Sequence, residues 1–173
     1  MKKRLAVDMD GVMADIMEQL FRYDERDFGR RKTSEEATGK SELAVFPKLR
    51  EYLFGKDFFL TSPVMANSQE ILYELNIKHE VFIVSAATEF PQSLSEKQEW
   101  LQKHFPFIKW QQIVFCGLKT IIEADVMIDD HFKNLDHFKK STILFSQPHN
   151  LLKDAGRHQR VNSWKEIGAL LLL

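Results

Sequence analysis

The chain has 173 residues, 44% of them apolar, and 24 lysines and arginines against 25 aspartates and glutamates give a formal net charge of -1. This length fits one domain of ordinary size, and the apolar content excludes a disordered chain. The charge balance gives no support to a nucleic acid polymer or a membrane surface as a partner, since either usually requires a basic excess. Cys116 is the single cysteine, so no internal disulfide can form and a cytoplasmic location is expected.

The start of the chain does not have the pattern of a targeting segment. Residues 5–7 are apolar, but Asp8 interrupts this run, whereas a secretory signal needs roughly 7–15 apolar residues. No stretch approaches the roughly 18–20 apolar residues of a membrane span. We therefore expect neither a signal peptide nor a membrane anchor.

The first predicted element is a buried strand at residues 5–9, and a long stretch without another strand candidate follows it. Apolar residues at helical spacing predict a helix over 14–24, and a proline in a first turn predicts a second helix over 47–54. The charged stretch 24–41 between them is a loop or an exposed helix. An all-helical insert at this place is typical of a cap over the strand ends, where open α/β sheets bind ligands.

Strands and helices alternate along the rest of the chain. Short apolar runs with polar ends predict buried strands at 81–84, 113–115, 126–128 and 142–145. Capping residues predict the helices: Asn67 or Ser68, a capping box of Ser93 with Glu96, and another of Ser163 with Glu166. This alternation favours an α/β fold with a parallel sheet.

Two pairs of acidic residues end two of the predicted strands. Asp8 and Asp10 precede Gly11 at the end of the first strand, and Asp129 and Asp130 follow the strand at 126–128. Alone, the first pair equally suits a helix cap and the second a polar turn. Parallel strands, however, bring both pairs to one edge of the sheet, where like charges need a divalent cation. Ligands that are all oxygen favour Mg²⁺.

By the same reasoning, Ser85 and Lys119 should reach this edge from the ends of two other predicted strands. Taken singly, Ser85 is explained as a serine that ends a strand, and Lys119 as a surface lysine. Beside a metal, a hydroxyl and a fixed ammonium are the groups that a phosphoryl group with spread negative charge requires. The order of these residues therefore predicts a phosphoryl-transfer site.

In this order of motifs the chain resembles the haloacid dehalogenase superfamily of phosphohydrolases, and within it the 5'(3')-deoxyribonucleotidases. The resemblance spans nearly the whole chain and is weakest over residues 24–55. It rests on the segments 7–15 (VDMDGVMAD), 56–59 (KDFF), 82–85 (FIVS), 112–114 (QIV) ahead of Lys119 and Thr120, 124–130 (ADVMIDD), and 163–164 (SW).

The resemblance implies a three-layer α/β/α Rossmann-like core, residues 1–14 and 62–173, with a small helical cap, residues 15–61, inserted after the first strand. It implies that Asp8 is the nucleophile that forms an aspartyl-phosphate, and that Asp10 is the general acid and base. Asp8, the Asp10 carbonyl and an acid of the Asp129–Asp130 pair would hold Mg²⁺, with Asp130 favoured as the direct ligand. Ser85 and Lys119 would bind the phosphate of a nucleoside monophosphate. A homodimer is also implied.

The chain departs from the family pattern in two places. Ala86 follows Ser85 where a serine is frequent, and the three tryptophans all lie outside the cap, where relatives use tryptophan around the base. Phe46, Phe58 and Phe59, with Phe54, are candidates for the base platform instead, although Phe46 and Phe54 could equally belong to the core of the cap.

The alternatives are a phosphatase of the same fold acting on a sugar phosphate or another small ester, and a catalytically inactive binding module. The six histidines show no zinc-binding spacing.

Overall fold

The computed structural model describes residues 2–173, which form a six-stranded, fully parallel sheet. Its strands are β1 (Arg4–Val7), β2 (Glu80–Ser85), β3 (Ile113–Phe115), β4 (Val126–Asp129), β5 (Ser141–Phe145) and β6 (Gln159–Val161), in the spatial order β3-β2-β1-β4-β5-β6. The predicted α/β class with a parallel sheet is confirmed. The sequence did not predict β6, in which only Val161 is buried.

Eight helices connect or follow the strands in the described residues. They are α1 (Ile16–Phe28), α2 (Ser34–Ala37), α3 (Glu42–Val45), α4 (Leu49–Leu53), α5 (Ser68–Lys78), α6 (Ser93–His104), α7 (Phe132–Leu135) and α8 (Trp164–Leu171), with short 3-10 turns at Ala87–Glu89, Trp110–Gln112 and Lys119–Ile121. Over residues 2–173, none of the helices combines the length and apolar character needed to cross a membrane.

The sheet is buried on both faces. Leu5 and Val7 of β1 belong to one apolar cluster with Trp100 and Trp164, whereas Ala6 belongs to another with Leu135. Successive side chains of a strand point to opposite faces, so these two clusters lie on either side of the sheet. The result is the three-layer arrangement that the resemblance implies.

A third apolar cluster lies in the helical insert between β1 and α5. Its buried members all come from residues 17–59, and they are Met17, Leu20, Phe21, Ala37, Val45, Phe46, Tyr52, Phe58 and Phe59. Helix α1 begins after Asp15, whose side chain accepts a hydrogen bond from the Glu18 N–H at 3.0 Å. It extends four residues beyond its predicted end. We call residues 15–61 the cap segment.

The predicted capping box of Ser93 with Glu96 is wrong. Ser93 is already the first helical residue of α6, after Gln92. The carboxylate of Glu96 instead accepts hydrogen bonds from the backbone N–H groups of Asp57 and Phe59, at 2.8 and 3.1 Å. A long-range contact with the cap segment has therefore taken the place of a local one.

Candidate active site

The ends of three adjacent strands bring the predicted site residues together. Asp8 follows β1, Ser85 ends β2, and Asp129 ends β4, and these strands are neighbours in the sheet. Because all strands are parallel, their carboxyl ends lie at one edge. Lys119 reaches the same edge from the 3-10 turn after β3, with its Nζ 2.6 Å from both Asp8 Oδ1 and Asp129 Oδ2.

Lys119 is a buried cation shared between two buried carboxylates. Its side chain is 2% exposed. Burial alone would lower the pKa of Lys119, but Asp8 and Asp129 outweigh that effect and raise it. The ammonium therefore stays charged at neutral pH and fixes one oxygen of Asp8, which also accepts a hydrogen bond from the Met9 N–H at 2.8 Å.

Asp8, Asp129 and Asp130 form a cluster that one cation can bind. One oxygen from each lies within 4.8 Å of the others. Burial, followed by the charge of Asp129, raises the pKa values of both Asp8 and Asp130. Without a cation this crowding opposes ionisation, whereas a bound cation would compensate it.

The hydrogen bonds distinguish Asp129 from Asp130. Asp129 accepts bonds from Lys119, from the His131 N–H and from the Asn134 amide. The Oδ1 atom of Asp130 is buried and has no hydrogen-bond partner in residues 2–173. The Oδ1 atom of Asp10 is in the same state. A buried carboxylate oxygen without a partner is unfavourable, so these atoms fit a cation or substrate at this place.

Gly11 permits the close approach of the two acidic segments. Its φ is +75°, and a Cβ atom there would lie 2.4 Å from Asp130 Oδ2. The Gly11 carbonyl accepts a hydrogen bond from the Gln147 amide at 2.6 Å. Only glycine satisfies both the left-handed backbone and the contact with Asp130.

Lys97 of α6 is a site residue that we did not predict. Its side chain is 1% exposed, and its Nζ donates hydrogen bonds to Asp10 Oδ2 and, at 3.1 Å, to Ser85 Oγ. The same atom lies 4.5 Å from the centre of the Phe59 ring. The sequence carries a signal for it, since Lys97 lies four residues before Leu101 and three before Trp100, on the buried face of the helix.

A cavity of about 160 Å³ lies over these residues. Asp8, Asp10, Lys97, Lys119 and Asp130 line its floor. Its walls come from the cap segment and from the core, and they include Ile16, Met17, Leu20, Glu42, Glu89, Phe90, His131, Lys133 and His149. Ser85 is 1% exposed and does not line the cavity, although its Oγ accepts a hydrogen bond from Lys97, which does; Ala86 lines it directly.

The predicted aromatic platform does not lie in this cavity. Phe46, Phe58 and Phe59 are 0%, 0% and 3% exposed and pack inside the cap segment. Phe58 and Phe59 contact each other edge to face, with ring centres 5.1 Å apart. Phe90, which follows β2 and not the cap segment, is the phenylalanine that lines the cavity.

Comparison with known proteins places the sequence of this chain in a family. The family model described as 5' nucleotidase, deoxy (pyrimidine), cytosolic type C protein matches residues 2–173. The 5'(3')-deoxyribonucleotidase of Bacillus subtilis (strain 168) is 37% identical over 181 residues, covering 99% of this chain and 100% of that protein, and the one of Bacillus phage SPbeta gives the same values.

Solved structures share the fold at low sequence identity. A haloacid dehalogenase-like hydrolase from Streptococcus pneumoniae has a TM-score of 0.62 at 13% identity, covering 98% of both chains. YfnB from Bacillus subtilis, bound to magnesium, has a TM-score of 0.62 at 14% identity, covering 99% of both chains. From the family match and the 37% identity over nearly the whole chain, the protein belongs to the 5'(3')-deoxyribonucleotidase family of haloacid dehalogenase-like hydrolases, enzymes that hydrolyse phosphoric monoesters.

Proposed function

We propose that this protein is a Mg²⁺-dependent phosphatase that hydrolyses deoxynucleoside monophosphates through a phosphoenzyme on Asp8. The observation that carries the proposal is the pairing of Asp8 with Lys119 beside Asp130 Oδ1, an oxygen with no hydrogen-bond partner anywhere in residues 2–173. The 5'(3')-deoxyribonucleotidase relatives support a nucleotide as the substrate.

In this proposal Asp8 attacks phosphorus in line with the leaving oxygen. Lys119 and the Met9 N–H both bind its Oδ1, which leaves Oδ2 as the attacking oxygen. The new O–P bond forms as the bond from phosphorus to the nucleoside oxygen breaks. The Lys119 ammonium balances the charge that spreads over the phosphoryl oxygens.

In this proposal Asp10 moves the proton. Its Oδ2 is held by Lys97, and its Oδ1 has no hydrogen-bond partner in the described chain. The free Oδ1 would give a proton to the leaving nucleoside oxygen and then take one from the water that hydrolyses the aspartyl-phosphate. Lys97 is thus a positioning residue, because it holds Asp10 through Oδ2 and leaves Oδ1 free to transfer the proton.

The cation would lie between the acidic segments. Asp8 and Asp130 fit as its side-chain ligands, with the Asp10 carbonyl as a backbone ligand, whereas Asp129 is already occupied by hydrogen bonds. When bound, Mg²⁺ supplies positive charge to the phosphoryl oxygens and keeps Asp8 ionised. The oxygen-only donor set supports this choice of metal.

The cap segment would open to admit a substrate. The present cavity of about 160 Å³ is smaller than the roughly 300–1,000 Å³ of usual ligand pockets. We place the base against the apolar wall of Ile16, Met17 and Phe90 after opening. Hydrogen exchange at α1 and α3, slowed by a phosphate analogue with Mg²⁺, would support this motion, and unchanged exchange would contradict it.

The test of function is phosphate release over a panel of deoxy- and ribonucleoside monophosphates and sugar phosphates. We expect the largest kcat/KM for deoxynucleotides, and no turnover with EDTA or for Asp8→Asn. Greater activity on sugar phosphates would refute the substrate class, and full activity in EDTA would refute the metal.

We extend the proposal to location and assembly. The single cysteine agrees with a reducing, cytoplasmic location, and a homodimer is proposed from the family resemblance alone. Light scattering of the purified protein would test the dimer, and a monomer at micromolar concentration would contradict it.

A further inference from the structure

A second group of potential metal ligands lies beside the carboxylate cluster and joins the cap segment to the core. Glu42 begins α3 in the cap segment, His131 directly precedes α7, and His149 lies in the loop after β5. One ligand atom from each lies within 4.8 Å of the others. The two imidazole rings are stacked, with centres 4.4 Å apart.

The environment of His149 fixes which ring nitrogen is free. Nε2 lies 3.1 Å from the backbone carbonyl of Asp130. A carbonyl only accepts hydrogen bonds, so Nε2 carries a proton, and Nδ1 is the nitrogen that can offer a lone pair to a metal once it is deprotonated. A backbone carbonyl that holds the second nitrogen in this way is the usual support of a metal-binding histidine.

The Nδ1 atom of His149 is buried and has no hydrogen-bond partner among residues 2–173. Its side chain is only 10% exposed, and Glu42 Oε1 lies 3.0 Å from Nδ1 without hydrogen-bond geometry. Without a metal, a proton on Nδ1 makes these two groups an ion pair, and a cation bound between them would take the place of that proton. Ligands that share one metal through bonds of about 2.1 Å are separated by about this distance.

We propose that Glu42, His131 and His149 form a second divalent-cation site, with a preference for zinc over magnesium. Two imidazoles and one carboxylate are donors that zinc favours, whereas the neighbouring cluster offers oxygen only. The ring of His131 must turn to complete the site, and its side chain is 40% exposed, which leaves room for this rotation.

The site would connect the two halves of the protein. Glu42 comes from the cap segment and both histidines come from the core, so a bound zinc ion holds the cap closed over the cavity. Zinc at this site therefore slows exchange of substrate and product. This inference does not depend on the substrate, because it concerns metal binding and cap opening.

The experiment counts zinc bound to the protein by equilibrium dialysis in excess Mg²⁺, which occupies the carboxylate cluster. We expect one zinc ion per chain for the wild type at low micromolar zinc. Glu42→Gln and His149→Gln should each weaken binding at least about tenfold. Glu35→Gln is the matched control, because Glu35 is an exposed cap glutamate outside the cavity.

Hydrogen exchange provides a second readout. Zinc should slow exchange in α3 of the wild type and of Glu35→Gln, but not of Glu42→Gln. Wild-type zinc affinity in both ligand variants would assign the zinc to the carboxylate cluster and overturn the proposal. Absence of zinc binding to the wild type would also overturn it and leave Glu42 and His149 as an ion pair. Because the two variants change different halves of the protein, misfolding of one leaves the other as a test.

Discussion

Replacing Lys97 by methionine is the sharpest test of how the site moves its proton. The change removes one ammonium group and keeps nearly the same side-chain length. In the wild type this group donates to Asp10 Oδ2 and Ser85 Oγ. We therefore expect the substituted side chain to keep its packing against Phe59 but to lose its hold on the general acid.

The magnitude follows from the contacts that are lost. A hydrogen bond to a charged group contributes about 1.5–3 kcal/mol. The Asp10 side chain is 32% exposed, so water can replace part of the interaction, and we take about 1.5–2 kcal/mol. If this energy is expressed in the transition state, kcat/KM for a deoxynucleotide falls about 10- to 30-fold.

The assay compares two esters that differ in their leaving group. A deoxynucleoside leaves as an alkoxide and needs the proton of Asp10, whereas p-nitrophenol leaves without one. Since kcat/KM reports the steps up to formation of the phosphoenzyme, Lys97→Met should lose more on the deoxynucleotide than on p-nitrophenyl phosphate. Lys97→Arg should recover part of the difference.

The control is Lys103→Met, an exposed position on the same helix, which should leave both rates unchanged. Urea denaturation of each variant checks that it is folded. An equal loss on the two esters would refute the reasoning, because it would assign Lys97 to the phosphate and not to Asp10. Wild-type rates on both esters would refute any catalytic contribution.

Three further predictions concern the carboxylate cluster. Asp8→Asn should reduce phosphate release to the background of the assay while retaining the fold by circular dichroism, and a residual rate near wild type would exclude the covalent mechanism. Gly11→Ala strains a φ of +75° and places a Cβ atom against Asp130, so the free energy of unfolding should fall by about 1–3 kcal/mol. The variant should also bind Mg²⁺ more weakly in calorimetry, and wild-type Mg²⁺ affinity would contradict the contact with Asp130. Burial raises the pKa values of Asp8 and Asp130, so the metal-free folded state binds more protons than the unfolded chain and its free energy of unfolding should fall as pH rises above about 4. Urea titrations across this range should show a smaller slope with saturating Mg²⁺, and identical slopes would count against the cluster as the metal site.

The strand ends of the site were predictable because their positions depend on local pattern and chain direction. Apolar runs ahead of Asp8 and Asp129 identify buried strands, and parallel pairing then requires that their carboxyl ends meet. Asp10, Gly11 and Lys119 follow from their place next to such strands. No knowledge of side-chain packing enters this reasoning.

Residues whose partners lie far along the chain were not predictable in the same way. Lys97 contacts Asp10 across 87 positions, and the sequence shows only that a lysine lies on the buried face of a helix. Glu96 next to it looked like a local cap but binds backbone groups 37 and 39 positions away. Strand β6 was missed because two of its three residues are polar and only one is buried.

The cap aromatics show why the family pattern could not locate the side chains that line the cavity. A short helical insert has little apolar material, and it must bury most of it to be stable over the sheet edge. Phe46, Phe58 and Phe59 form this interior with Phe21 and Tyr52, so they are unavailable to a ligand unless the cap unfolds. The wall can then come only from side chains at the boundary, and there Ile16 and Met17 of α1 face Phe90 of the core. Phe90→Ala should therefore raise KM for nucleotides more than Phe58→Ala does, whereas Phe58→Ala should cost more stability, about 3–5 kcal/mol for a buried phenylalanine. Measured KM values and urea midpoints for the two variants would contradict this division if their order were reversed.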